Sequence, residues 1–132
     1  MVILDSSVLI NLFKGKITPA VSKLITLEQG EEELGIPAVC LQEVLQGARD
    51  RKEWSQLFEY LSSQTILLPM DGTATHVDAA RIYFDARKKG FTPRSSVDCL
   101  IAQLAIERKR PLLHDDKDFQ IIRKVRPELK LL

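Results

Sequence analysis

The sequence predicts an α/β fold, a three-layer α/β/α sandwich around a central parallel sheet. Two observations carry that prediction. Four short apolar runs are each separated from the next by helical patterning, and capping residues, prolines and glycines stand at the joints. Short strands joined through helices pair in parallel, and a parallel sheet needs helices on both faces.

The first strand is Val2-Ile3-Leu4, ended by Asp5; Ser6-Ser7 then offer capping hydroxyls to a helix over Val8 to Phe13. Thr18-Pro19 has the N-cap and first-turn signature of a helix to about Gln29, with Val21, Leu24, Ile25 and Glu28 at helical spacing and Gly30 closing it. Leu34 to Ile36 reads as the second strand. Pro37 starts a helix whose apolar stripe is Leu41, Val44, Leu45 and Ala48, with Glu43 off the stripe. Lys52 to Ser62 carries Trp54, Leu57, Phe58 and Leu61 as an amphipathic helix, and Thr65 to Leu68 is a third strand ended by Pro69. Between Gly72 and Gly90 lies a helix marked by Val77, Ala80, Ile82, Tyr83 and Phe84. Ser95-Ser96 cap a strongly patterned helix through Val97, Leu100, Ile101, Leu104 and Ala105, with Asp98 on its shoulder. Pro111 to His114 is the fourth strand, Asp116 to Ile122 a short helix or turn, and Lys130 to Leu132 a last edge strand.

A length of 132 residues fits one domain spanning the chain, since single cores run to ~100–150 residues before splitting. With 45% apolar and 28% charged residues, the chain can bury a core without staples. Nineteen basic against eighteen acidic residues leave a net charge of +1, which gives no support to a polybasic nucleic-acid binder or a membrane-surface protein and makes any charged patch local. Cys40 and Cys99 lack metal-ligand spacing and read as buried small hydrophobes. No run approaches the ~18 apolar residues of a membrane span, and the N-terminus lacks a basic leader, so a soluble, cytoplasmic location is expected.

Ligand sites in open parallel sheets collect beyond the carboxyl ends of strands. Asp5 follows the first strand there, and Asp116 follows the fourth after one residue. Asp98 in the first turn of its helix and Glu43 in the second turn of another can join them, with Asp118 close enough to Asp116 to share a site. Each acid alone also fits a plainer role as turn former, helix-dipole partner or solvated surface residue; Asp115 is read that way. If the four share one pocket, carboxylates ~6 Å apart repel by roughly 3 kcal/mol per pair at an effective dielectric near 20. Six pairs then approach ~15–20 kcal/mol, as much as a domain's whole stability. Such a cluster needs a cation or shared protons. An oxygen-only donor set suits a hard ion, Mg²⁺ first and Mn²⁺ next, and that arrangement cleaves phosphodiesters.

Four segments, VILDSSVLINLF, LQEVLQGA, VDCLIAQLAI and LLHDDKDFQII, resemble the PIN domain in order and spacing over essentially the whole chain, and within it the VapC ribonuclease toxins. The resemblance implies a central parallel sheet, an acidic pocket for Mg²⁺ or Mn²⁺, and RNA cleavage by metal-assisted hydrolysis. By motif, Asp5, Glu43, Asp98 and Asp116 answer to the family's acids and Asp118 to the second, more peripheral acid of the D-x-D-F tail. Asp5, Asp98 and Asp116 would hold the ion directly or through water, and Glu43 a second ion or the nucleophile. Ser6 or Ser7 matches a small hydroxyl residue beside the first aspartate, where a capping role explains it equally well. His114 stands where the family often has Thr or Ser; it either bonds the scissile phosphate or a metal-bound water, or is satisfied by backbone. Lys14, Lys16, Arg49, Arg51, Lys88, Lys89 and Arg94 flank the motif loops as candidate RNA contacts, Arg94 foremost. The resemblance also implies a homodimer and inhibition by a small VapB-like antitoxin, with the apolar helices between Pro19 and Ser62 as places for both surfaces. The competing reading is a PIN-like scaffold that binds RNA or protein without cutting. A receiver or a dehalogenase-like phosphohydrolase is disfavoured, because Asp5-Ser6-Ser7 lacks the paired or D-x-D acids those sites need.

Overall fold

A computed structural model describes all 132 residues. The elements run β1 (Val2–Leu4), α1 (Ser6–Phe13), α2 (Pro19–Gln29), β2 (Leu34–Pro37), α3 (Ala38–Gln46), α4 (Arg51–Ser62), β3 (Thr65–Leu67), α5 (Gly72–Lys88), α6 (Ser96–Arg108), β4 (Leu112–Leu113) and α7 (Asp118–Val125). The four strands form one parallel sheet in the order β3-β2-β1-β4. β1, β2 and β4 are buried along their whole lengths, as strands covered on both faces must be. Helix α1 packs against α2 and α3, and α3 against α4, while α5, α6 and α7 pack together, giving the two outer layers of an α/β/α sandwich.

That strand order fixes where a site can form. From β1 the chain steps outward through β2 to β3, then returns to lay β4 on the other side of β1. The direction of winding therefore reverses between β1 and β4, and the loops leaving their carboxyl ends diverge to open a crevice. The main-chain N–H of Asp5 donates to the Leu113 carbonyl at 3.0 Å, so the two strand ends that carry acids are tied side by side.

The structure moves several boundaries. α1 begins at Ser6, two residues earlier than the sequence suggests, because the Asp5 carboxylate rather than a serine hydroxyl caps it by accepting from the Ser7 N–H. Pro37 closes β2 and caps α3 instead of starting that helix. α7 starts at Asp118 and runs to Val125. The last edge strand shrinks to a single parallel bridge of Leu131 to Leu112. In α5 the core face is Thr75, Ala79, Ile82 and Ala86, while Val77 and Phe84 stand in solvent. Small residues at i, i+4 and i+11 let α5 lie close against α6, a stripe that large-residue periodicity overlooks. In α4, Leu57 and Leu61 enter the core, and Trp54 and Phe58 stay 48% and 52% exposed. α6 is buried nearly all round, from Asp98 to Ala105, and so is the central pillar of its layer. No helix is long and apolar enough to cross a membrane, and both cysteines are buried and free.

Candidate active site

Three carboxylates converge at the β1/β4 crevice. One oxygen from each of Asp98, Asp116 and Asp118 lies within 4.8 Å of the others. Each arrives by a different device. Ser95 caps α6 by accepting from the Val97 N–H at 3.1 Å, which sets Asp98 in the first turn beside the crevice. Asp116 sits in the turn after β4, where its Oδ1 accepts the Asp118 N–H at 2.9 Å; this short turn presents both acids together at the start of α7. Asp118, the acid expected to be peripheral, is 3% exposed and belongs to the tight group.

Asp5 stands next to this triad rather than within it. It is almost fully buried, and its Oδ2 accepts from both the N–H and the hydroxyl of Ser7. Ser6 turns the other way and donates to Glu43 Oε1 at 3.0 Å. The two serines thus divide the work, Ser7 fixing Asp5 and Ser6 fixing Glu43. Burial raises the carboxyl pKa of both Asp5 and Glu43 against the lowering effect of these hydrogen bonds. The effect is larger at Asp98, where burial and then the charges of Asp5, Asp116 and Asp118 push the carboxyl up to about 7. Mutual influence among Asp5, Asp98, Asp116 and Glu43 places them in one electrostatic unit.

The donor set fits a hard divalent ion. The convergent atoms are carboxylate oxygens alone, with no thiolate or imidazole among them, and Asp98 carries an unfavourable charge that a cation would relieve. Cys40 comes within 4.0 Å of Asp5, but burial and the neighbouring carboxylates hold its thiol protonated.

Arg94 enters from the segment between α5 and α6, after Gly90 has ended α5 with φ +84°. Its guanidinium spans two acids, Nη2 to Asp116 Oδ1 at 2.9 Å and Nε to Asp118 Oδ1 at 3.2 Å. Its main-chain N–H also donates to Asp118 Oδ2 at 2.8 Å. Spacing in the sequence does not announce ion pairing with these acids; only the four-residue step to Asp98 singles Arg94 out.

His114 Nδ1 accepts the Asp116 N–H at 3.2 Å, and its ring packs on Phe119 with centroids 5.1 Å apart. Burial lowers its pKa, so the ring is a neutral brace of the acid turn. Asp115 points away from the triad, as the two-residue alternation of an extended chain requires. Its Oδ2 accepts from Asn11 Nδ2 at 2.9 Å and from Thr18 Oγ1 at 2.6 Å, while its N–H donates to Ser7 Oγ at 2.9 Å. Nothing in the spacing of Asn11 and Thr18 announces this contact.

Beside Glu43, a cavity of about 490 Å³ opens between α1, α3 and α4, lined by Ile10, Phe13, Val44, Leu57 and the charged Arg49 and Glu53. Phe13 is 40% exposed there and meets Tyr60 edge-on.

Comparison with known proteins places this geometry. Residues 2–125 match the PIN domain family. The chain is 33% identical over 128 residues to Ribonuclease VapC11 of Mycobacterium tuberculosis and, equally, to VapC ribonuclease Mb1587 of Mycobacterium bovis, covering 95% of this chain and 93% of each relative. Among solved structures, a chain of VapBC-1 from nontypeable Haemophilus influenzae superposes with a TM-score of 0.74 at 20% identity, covering 100% of this chain and 97% of that one. A chain of VapBC2 from Rickettsia felis, bound to a DNA fragment from its promoter, gives 0.73 at 20% identity, covering 100% and 98%. The fold is shared with both, and the chain belongs to the PIN domain family, in its VapC branch.

Proposed function

We propose that residues 1–132 form a single nuclease domain, a Mg²⁺- or Mn²⁺-dependent endoribonuclease that acts in the cytoplasm as the toxin of a toxin–antitoxin pair. The observation that carries this reading is the convergence of Asp98, Asp116 and Asp118 within 4.8 Å at the β1/β4 crevice, with Asp5 and Glu43 alongside, in a chain whose curated relatives are VapC ribonucleases.

Asp98, Asp116 and Asp118 would hold the ion, with the charge of Asp5 beside them and Ser7 fixing its orientation. When bound, a divalent ion there supplies positive charge for a phosphate oxygen and acidifies water. Glu43 is half-buried, held by Ser6 and raised in pKa, which suits a carboxylate that orients the attacking water and takes its proton. Burial of Asp5, Asp98 and Asp118 keeps bulk water from screening the charges, so each contact acts at lower effective dielectric than on the surface. RNA is the substrate, held by local cations on the crevice rim since the chain as a whole is nearly neutral.

The partner is a VapB-like antitoxin, with the groove of Ile10, Phe13, Val44 and Leu57 as its seat. That groove combines four apolar side chains with Lys14, Glu43, Arg49 and Glu53, which suits a segment that brings apolar anchors and a basic side chain for the acids. The active species is a homodimer.

The test compares wild type with Asp5→Asn and Asp98→Asn for cleavage of total cellular RNA, with Mg²⁺ or Mn²⁺ and with chelator. Cleavage by wild type alone, abolished by chelation, is expected, with growth arrest on expression that the same substitutions relieve. Cleavage that survives chelation or either substitution would contradict the mechanism. Folded wild type that binds Mn²⁺ but cuts no RNA would point instead to a binding module.

A further inference from the structure

Arg94 engages three of the six carboxylate oxygens of the triad, both of Asp118 and one of Asp116. Both carboxylate oxygens of Asp118 accept from Arg94, Oδ1 from Nε and Oδ2 from the main chain, and Asp116 Oδ1 accepts from Nη2. Asp116 Oδ1 is further engaged by the Asp118 N–H. An ion drawing on Asp116 and Asp118 therefore meets a resident positive charge on the same two carboxylates, and both cannot be held there at full strength. The side chain that would yield is the guanidinium. It is 73% exposed, whereas the side chain of Asp118 is 4% exposed and cannot follow it outward. An exposed arginine regains water when it leaves, so the exchange is cheap.

We propose that Arg94 is an internal counter-cation, which neutralises Asp116 and Asp118 in the metal-free protein and competes with the divalent ion for them. Loading the ion displaces the guanidinium from the acids while the main-chain bond from residue 94 to Asp118 stays in place. The released side chain remains at the rim of the crevice, a full positive charge facing the place where a phosphodiester must lie. The arrangement raises the ion concentration needed to load the site and keeps the carboxylates paired until then. The proposal rests on the reading of Asp98, Asp116 and Asp118 as an ion site.

Its test is binding of Mn²⁺ alone to chelator-treated protein, measured by calorimetry for wild type, Arg94→Ala, Arg94→Lys and Asp116→Asn. Alanine keeps the main-chain bond to Asp118 and removes the guanidinium with its stem, and lysine restores the stem and the charge without the planar fork. Arg94→Ala is expected to bind Mn²⁺ roughly three- to tenfold more tightly than wild type, Arg94→Lys to fall between them, and Asp116→Asn to bind weakly. Thermal unfolding provides the second readout. Arg94→Ala should melt lower than wild type with chelator and match it at saturating Mn²⁺. Equal or weaker Mn²⁺ binding by folded Arg94→Ala, with wild type binding normally, overturns this proposal and leaves the nuclease reading intact. If neither protein binds Mn²⁺, both fall. If Arg94→Ala binds and wild type does not, the competition is confirmed in its strongest form.

Discussion

Two neighbouring corners of the β1/β4 crevice each hold aspartates, and they treat them in opposite ways. On the α1 side, Asp115 meets three polar groups of the first 18 residues, with Asn11 and Thr18 donating to its carboxylate and its own N–H bonding Ser7. On the α6 side, Asp98 meets chiefly other acids, and its carboxyl is pushed up to about 7. In one corner neutral donors satisfy the carboxylate; in the other, acids crowd together and the Arg94 guanidinium brings the opposite charge. The lesson is that proximity in sequence says little about role. Asp115 and Asp116 are adjacent, yet one bolts β4 to α1 and the other joins the triad. What separates them is the company of the side chain: the neutral donors Asn11 and Thr18 at Asp115, the Arg94 guanidinium and two further acids at Asp116.

The difference can be broken from the triad side with the largest effect. Asp98→Asn or Asp116→Asn should lower RNA cleavage by about 10²–10³-fold or more, read in a gel assay at saturating Mg²⁺. Asp115→Asn, which keeps an acceptor oxygen toward Asn11 and Thr18, should stay within a few-fold of wild type. A comparable loss at Asp115 would erase the distinction between the corners.

Ser7→Ala probes the joint between them, since Ser7 donates to Asp5 and accepts from Asp115. It should reduce cleavage roughly 10–100-fold, as loss of a group orienting a metal-site carboxylate does. Circular dichroism should show the fold retained.

A smaller effect falls on stability at the other corner. Asp115→Ala leaves the Asn11 and Thr18 donors without their acceptor and should cost about 1–3 kcal/mol in denaturant unfolding. Asp98→Asn, by contrast, should leave the metal-free protein as stable as wild type or more so at pH 8, because it removes a charge that the fold opposes.

The most diagnostic effect is pH dependence. The folded-state pKa of Asp98 is raised from 3.8 to about 7, so the protein prefers it protonated. Its stabilising contribution is therefore full below about pH 4 and is lost as pH rises through about 7. Metal-free wild type should lose melting temperature over that window relative to Asp98→Asn, and saturating Mg²⁺ should remove the difference. The comparison with Asp98→Asn is needed because His114, whose pKa burial lowers, contributes in the opposite sense.

Much of this fold was legible in the sequence. Val2–Leu4 and the Thr18-Pro19 start of α2 come out as read, because strand hydrophobicity and capping chemistry are local. Errors arise where the deciding partner is distant. The inward face of α5 is set by contact with α6, so alanines win over Val77 and Phe84. The carboxyl-end rule placed Asp5 and Asp116 at one edge, and helix capping placed Asp98 beside them. That Asp118 rather than Asp5 completes the tightest group depends on a turn in which Asp116 accepts the Asp118 N–H. That signal was present in the D-x-D spacing before an apolar helix. The pairing of Arg94 with two acids 22 and 24 residues away left no mark in the sequence.

The most direct test of the central claim, that burial and the neighbouring acids of the α6 corner oppose the charge of Asp98, is a ¹³C carboxyl NMR titration of Asp98. In metal-free protein it should titrate near 7, and with saturating Mg²⁺ it should remain ionised throughout that range. Titration near the ordinary ~4 in the metal-free protein, unchanged by Mg²⁺, would contradict it.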